Sequence, residues 1–166
     1  VGTFGNLNKY IFINPQTYRR VIMGTRSNIA YKKSDGKIVS MYCHYDGYPQ
    51  YNGVMLNEHY NTKEKARGLV DNGYQSFLRE TVEDSNYNRV HEEPPTTYHS
   101  FRAFIMNINF DIEWVYLFKD DCWHVAETSY IKLPSGSYDI EVEDFTPLES
   151  ALRFVLHEKN YVEGDQ

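Results

Sequence analysis

Cysteine, a cationic surplus, glycine-rich phosphate loops and long apolar runs are all scarce or missing from this 166-residue chain, and each shortage excludes something. Cys43 and Cys122 are the only cysteines. No framework of several disulfides can therefore hold the fold, and reduced thiols in a cytoplasm are the simplest expectation. No apolar run approaches the ~18 residues that suggest a membrane span. A basic start followed by a long apolar stretch, the mark of a secretory signal, is also missing. Gly47 and Gly53 are separated by a proline and aromatics, with no Gly-x-Gly-x-x-Gly and no terminal Gly-Lys-Ser/Thr, so a nucleotide-binding loop is unsupported. There is no Cys-x-x-Cys and no His-x-x-x-His. Cys122 and His124 share a strand face, with Cys43 a conceivable third ligand, but a structural histidine is the plainer reading. Neither a metal nor a cofactor is expected.

The formal net charge is -6. Acids and bases balance from Val1 to Tyr138. The excess lies beyond, where Asp139, Glu141, Glu143, Asp144, Glu149, Glu158, Glu163 and Asp165 meet only Arg153 and Lys159. General nucleic-acid binding needs a basic footprint and is disfavoured. An acidic region of this kind suits a partner with a basic surface, or imitates nucleic-acid charge. Solubility alone accounts for it equally well.

Aromatic residues are what the chain has in plenty: 16% of the total, including 15 tyrosines. Tyrosine buries a large apolar body while keeping a hydroxyl for water or a partner, so the surplus predicts either a sticky surface or a ring-built core. The length suits one hydrophobic core.

Residues 1–22 read as a peripheral N-terminal extension, and a single α+β domain is expected over 23–160. The first firm element is a hairpin, residues 28–33 and 37–45 around Asp35-Gly36. In its second strand Ile38, Ser40, Tyr42 and His44 share one face; Val39, Met41, Cys43 and Tyr45 share the other. The second face is more apolar, which predicts a buried, inert Cys43. A short helix is expected over 53–60, with Val54, Met55 and His59 inward. A second runs from a Thr62 cap through Val70 to Asn72-Gly73, and a third covers 74–81. Residues 82–100 read as a long loop and 101–108 as a strand. Two further strands, 112–118 and 122–132, flank Lys119-Asp120-Asp121. Ile112, Trp114, Tyr116 and Phe118 line one face of the first, Val115 and Leu117 the other, as in a central strand. An edge strand follows near 137–142. Thr146-Pro147-Leu148-Glu149 then opens a helix with an apolar stripe of Leu148, Ala151, Leu152, Val155 and Leu156. The predicted architecture is a mostly antiparallel sheet with two to four helices packed against it.

The densest chemistry lies in Tyr42-Cys43-His44-Tyr45-Asp46-Gly47-Tyr48-Pro49-Gln50-Tyr51-Asn52-Gly53. His44 and Asp46 flank Tyr45, and Arg26 begins the neighbouring strand. Together they would make a polar cluster suited to a phosphate or carboxylate, with His44 as acid or base. Asp46-Gly47 is equally a turn pair. Candidate contact residues are Arg26, His44, Asp46, Tyr48, Tyr51 and Asn52; were the protein an enzyme, Arg26, His44 and Asp46 would carry the chemistry.

Met23-Gly24-Thr25-Arg26-Ser27-Asn28-Ile29 and the Tyr42–Gly53 segment together resemble a family of small bacteriophage and prophage proteins that begin Met-Gly-Thr-Arg-Ser and carry Cys-His-Trp/Tyr-Asp-Gly-Tyr-Pro after a hairpin. The resemblance covers residues 23–73 and fades afterwards. It implies a phage-encoded accessory protein that binds and modulates or inhibits a host protein in the host cytoplasm, without catalysis. The alternatives are a small phosphate-directed hydrolase or nuclease and a virion-associated structural protein.

Overall fold

Two strand-turn-strand units lie side by side, joined through their first strands. The computed structural model describes residues 24–87 and 89–153. In the first unit β1 (Arg26–Lys32) pairs antiparallel with β2 (Ile38–Cys43). Its turn closes as Asp35-Gly36 predicts: Lys33 N–H donates to Lys37 O at 2.8 Å, and Gly36 takes a left-handed φ of +86°. After β2 come α1 (Val54–His59), α2 (Lys63–Asp71), α3 (Val82–Tyr87), the short β3 (Thr96–Tyr98) against β2, and α4 (Phe101–Met106).

The second unit pairs β4 (Ile112–Lys119) with β5 (Cys122–Lys132) through Asp120 and Asp121, both left-handed at φ 50° and 58°. β6 (Tyr138–Val142) and β7 (Thr146–Pro147) each pair with β5. The strand order is β3-β2-β1-β4-β5-β6, and among the described strands the β1–β4 pair alone is parallel. The α+β expectation therefore holds, with a mixed sheet.

Both sheet faces are covered. On one, Ile29, Met41, Cys43, Trp114, Tyr116, Phe118 and Trp123 pack beneath Leu56 of α1, Ala66, Leu69 and Val70 of α2, and Leu148 and Leu152 of the helical residues 148–153. On the other, Ala30, Ile38, Val115 and Leu117 pack against Phe104, Ile108, Ile140 and Val142. Each fully buried aliphatic or aromatic side chain contributes ~1.5–3 kcal/mol relative to exposure. α2 follows its prediction closely: Thr62 Oγ1 accepts from Lys65 N–H at 3.3 Å, and Gly73 leaves the helix at φ +79°.

Several expectations need correction. Residues 101–108 carry α4, not a strand. Ser100 Oγ caps it by accepting from Ala103 N–H at 3.1 Å, and Phe104 and Ile108 bury at helical spacing. No helix forms over 74–81, where Gln75 instead bridges Cys43 in parallel. The expected loop 82–100 holds α3, capped by Thr81 through Asp84 N–H at 3.1 Å, and β3. Ile112 leaves the face of Trp114 and Tyr116 because the register shifts between Arg26↔Ile112 and Ser27↔Trp114; this irregularity sends Ile112 to the side of Val115 and Leu117. In α1 Val54 and Met55 do pack against the core, but the fully buried residue is Leu56, and His59 stays half-buried. Thr146 and Pro147 pair with Val125 and His124 before the last helix begins. Residues 1–23, Val155 and Leu156 lie outside the described residues.

Candidate functional site: a row of rings at the end of the sheet

The Tyr42–Gly53 segment has an interior half and an outward half. Inside, Gly47 N–H donates to Thr25 O at 2.8 Å, and a Cβ on Gly47 would lie 2.8 Å from Arg26 C and 2.9 Å from Thr25 O. Only glycine fits that approach. The buried Tyr116 hydroxyl, reaching across from β4, donates to Gly47 O at 2.7 Å. Asn52 closes the loop: its N–H donates to Asp46 O at 3.2 Å, and its side-chain amide to Ser27 Oγ at 3.2 Å and Cys43 Sγ at 3.4 Å. A π-helical turn, Pro49–Gly53, then leads into α1. Burial pushes the Cys43 thiol up to about 12 against the lowering effect of the Asn52 hydrogen bond, so it stays protonated and inert.

In the outward half, residues 74–77 run alongside 42–45; Tyr74, Gln75 and Ser76 are buried, while Tyr42, His44 and Phe77 are half-buried and Tyr45 is exposed. Gln75 N–H donates to Tyr42 O, His44 N–H to Gln75 O and Tyr45 N–H to Ser76 O, each at 3.0 Å. This pairing sets Tyr74 beside Tyr42 and Phe77 beside Tyr45, and a continuous row of six rings results. Phe77 stacks on Tyr45 at 4.6 Å, Tyr45 meets His44 edge-on at 4.3 Å, and His44 lies 5.9 Å from Tyr42. Tyr42 stacks on Tyr74 at 5.7 Å, and Tyr74 on His91 at 4.0 Å. Gly73 permits the last contact. Its Cβ would fall 2.1 Å from Glu93 O, so only glycine lets Tyr74 N–H reach that carbonyl at 2.9 Å. The Arg79 guanidinium caps the far end, 5.4 Å from the Phe77 ring centre.

A polar chain flanks the row. Arg26 Nε lies 3.4 Å from Asp111 Oδ2, which also accepts from the Tyr42 hydroxyl at 3.4 Å; that hydroxyl lies 3.0 Å from His44 Nδ1. Burial and the Asp111 charge raise Tyr42 to about 12, opposed by Arg26. Burial first, then Arg26, lower His44 below its ordinary value, with Asp111 pulling the other way. Near neutral pH the ring is uncharged and the phenol intact.

Comparison with known proteins returns no matching family model, no matching curated protein and no matching solved structure.

Of the residues singled out from the sequence, Arg26 and His44 enter one cluster. Asp46 sits at φ +56°, and among the described residues no hydrogen bond or ion pair joins it to Arg26 or His44. Asp111 holds the carboxylate position instead. Tyr48 packs against the larger core. The Tyr51 hydroxyl donates to Leu78 O at 3.2 Å and accepts from Arg79 Nη1 at 2.6 Å. Asn52 is 0% exposed and belongs to the interior of the segment, not to its surface. Tyr45, assigned by alternation to the apolar face, is 36% exposed because β2 ends at Cys43. Tyr74, Phe77, His91 and Asp111 were missed. The spacing of Tyr74 and Phe77 offered a signal, but only their non-local pairing with Tyr42 and Tyr45 gives it meaning. Among the described residues no group of three or more histidine, cysteine or acidic side chains could hold a metal ion, and no helix is long and apolar enough to cross a membrane.

Proposed function

We propose that this chain is a non-catalytic binding protein whose recognition face is the accessible part of the ring row, Phe77, Tyr45, His44, Tyr42 and His91, braced by the buried Tyr74. As an accessory protein of the phage type that its sequence resembles, it would engage a host protein and modulate or inhibit it. The row itself carries the reading. Rings braced against one another lose little conformational freedom when a partner covers them, and aromatic anchors supply much of the energy of protein interfaces. His44, Tyr42 and Arg26 add directional polar groups along the rim. A hydrolase using Arg26, His44 and Asp46 has less support, since Asp46 stands apart and Asp111 already neutralises Arg26.

The test is comparative capture from host lysates with the intact chain and its Tyr45→Ala/Phe77→Ala variant, both checked for folding by circular dichroism. The variant should hold the specific partner at least ~10-fold more weakly. Equal capture by both chains, or no specific partner across several hosts, would reject the reading. So would phosphodiester cleavage that disappears in His44→Ala.

A further inference from the structure

β5 is longer than the strand it pairs with. β4 covers it from Cys122 to Glu127, and from Thr128 to Lys132 its strand partner among the described residues is β6. The result is a two-stranded arm, anchored where the Tyr130 hydroxyl donates to Phe110 O at 2.8 Å and their rings lie 4.8 Å apart. Tyr130 and Tyr138 nevertheless remain 59% and 58% exposed.

The outer side of β6 is an open sheet edge among the described residues. Leu133 N–H donates to Ser137 O at 2.8 Å and Glu143 N–H to Glu127 O at 2.9 Å. Alternation between these two bonds turns the amides of residues 139 and 141 toward β5, and those of Tyr138, Ile140 and Val142 outward. Ile140 confirms this direction, because its N–H is taken at 2.8 Å by Asp139 Oδ1. One face of the arm carries Glu127, Asp139 and Glu141. The arm's lysine, Lys132, pairs with Tyr138 on the opposite face. Burial, then the charges of Glu143 and Glu113, raise Glu127 above its ordinary value.

We propose that the outer edge of β6 takes an extended segment of a partner protein in which lysine or arginine alternates with apolar residues, adding a strand to the sheet. Backbone bonds at Tyr138 and Val142 would supply affinity, and the carboxylates of Asp139 and Glu141 would select the basic side chains. Ile140 joins the ladder once Asp139 turns from its amide to the incoming cation. A second copy of this chain does not fit: antiparallel pairing about Ile140 sets Asp139 opposite Glu141 of the other copy, and like charges directly opposite repel. This edge lies at the far side of the strand order from β2 and uses none of the six rings, so it stands or falls apart from the ring-row reading.

The test uses the full chain, isotope-labelled, with two short blocked peptides, one alternating lysine and valine and the other glutamate and valine. The lysine peptide should bind, weaken with salt, and slow hydrogen exchange at the Tyr138 and Val142 amides. Asp139→Lys/Glu141→Lys, with unchanged thermal unfolding, should lose at least ~10-fold in affinity for it and gain the glutamate peptide. Tyr138→Pro, which deletes one outward N–H without touching charge, should weaken binding as well. Tyr45→Ala/Phe77→Ala should leave it intact. The proposal is overturned if neither peptide binds, if both bind alike, if binding leaves the two amides unprotected, or if protection rises with protein concentration without peptide.

Discussion

In the β1–β2 and β5–β6 hairpins the chain turns in the same way. Lys33 and Leu133 each donate an N–H to a residue four positions on, Lys37 and Ser137, at 2.8 Å, and Gly36 and Gly136 each return an N–H to Lys33 and Leu133 at 3.0 and 2.9 Å. Both glycines sit at φ +86°. Yet β1 and β2 are buried along nearly their whole length, while the end of β5 and most of β6 are exposed or half-buried. Turn chemistry makes a hairpin, but the residues flanking it decide whether the hairpin becomes core or arm. The first unit alternates Ile29, Tyr31, Val39 and Met41 with Ala30 and Ile38, so both its faces find partners. The second ends in Tyr130, Lys132, Tyr138, Asp139 and Glu141, which favour water or another chain. The open ends differ too: that of the first hairpin is tied by the Tyr42–Gly53 segment, and the tie is what positions the ring row.

Breaking that tie should have the largest effect. Gly47→Ala places a Cβ within 2.9 Å of the Thr25 carbonyl oxygen and 2.8 Å of the Arg26 carbonyl carbon, both backbone atoms. Neither can move without disturbing the start of β1, and the bonds Thr25 O and Gly47 O accept would lengthen. Overpacking of this kind costs about 2–3 kcal/mol. Urea unfolding should show that loss, with broadening of the His44 and Tyr45 resonances in the native state. Full stability in the variant would mean that the segment decorates the hairpin rather than holding it.

A matched pair of glycine substitutions sharpens the contrast. Gly36→Ala and Gly136→Ala meet no atom within 4 Å, so each introduces only left-handed strain, ~1 kcal/mol. In the first hairpin that strain belongs to the cooperative core and should appear in global unfolding as ~1 kcal/mol. In the arm it should appear as faster local exchange at Asp139 and Glu141, whose amides face β5, with a global loss below ~0.5 kcal/mol. Equal global losses would show that the arm unfolds together with the core.

The local features of this contrast could be read from the chain, and the non-local ones could not. Asp35-Gly36 and the Thr62 cap each act over four or five residues, so their physics is present in the sequence. The six-ring row depends on residues 74–77 pairing with 42–45, and Asp111 reaches Tyr42 from 69 positions away through the parallel β1–β4 pair. No periodicity encodes that pairing, and Asp46, two residues from His44, was therefore the natural carboxylate to choose. α4 was lost for another reason. Phe101-Arg102-Ala103-Phe104-Ile105 has the aromatic and β-branched composition of a strand, and the deciding signal was the Ser100 cap in front of it.

The smallest effect is a difference in pH response between the two hairpins, and it has opposite signs. At the end of the first, His44 titrates below its ordinary 6.5, so the unfolded chain holds the proton more tightly than the folded one. Its contribution to stability is fully present above 6.5 and is lost as pH falls through 6.5 toward the lower folded value. In the arm, Glu127 titrates above its ordinary 4.5, so the folded chain holds that proton more tightly. Its contribution is fully present below 4.5 and is lost as pH rises through 4.5 toward the higher folded value. His44→Gln should therefore flatten the decline in stability on acidification from about pH 7 to the folded His44 value. Glu127→Gln should raise stability at pH 7 and lose that advantage below about pH 4. Denaturant midpoints across that range measure both. An unchanged acid slope in His44→Gln would mean that neither burial nor the Arg26 charge lowers the imidazole in the folded chain, and would place the ring away from the Arg26–Asp111–Tyr42 chain.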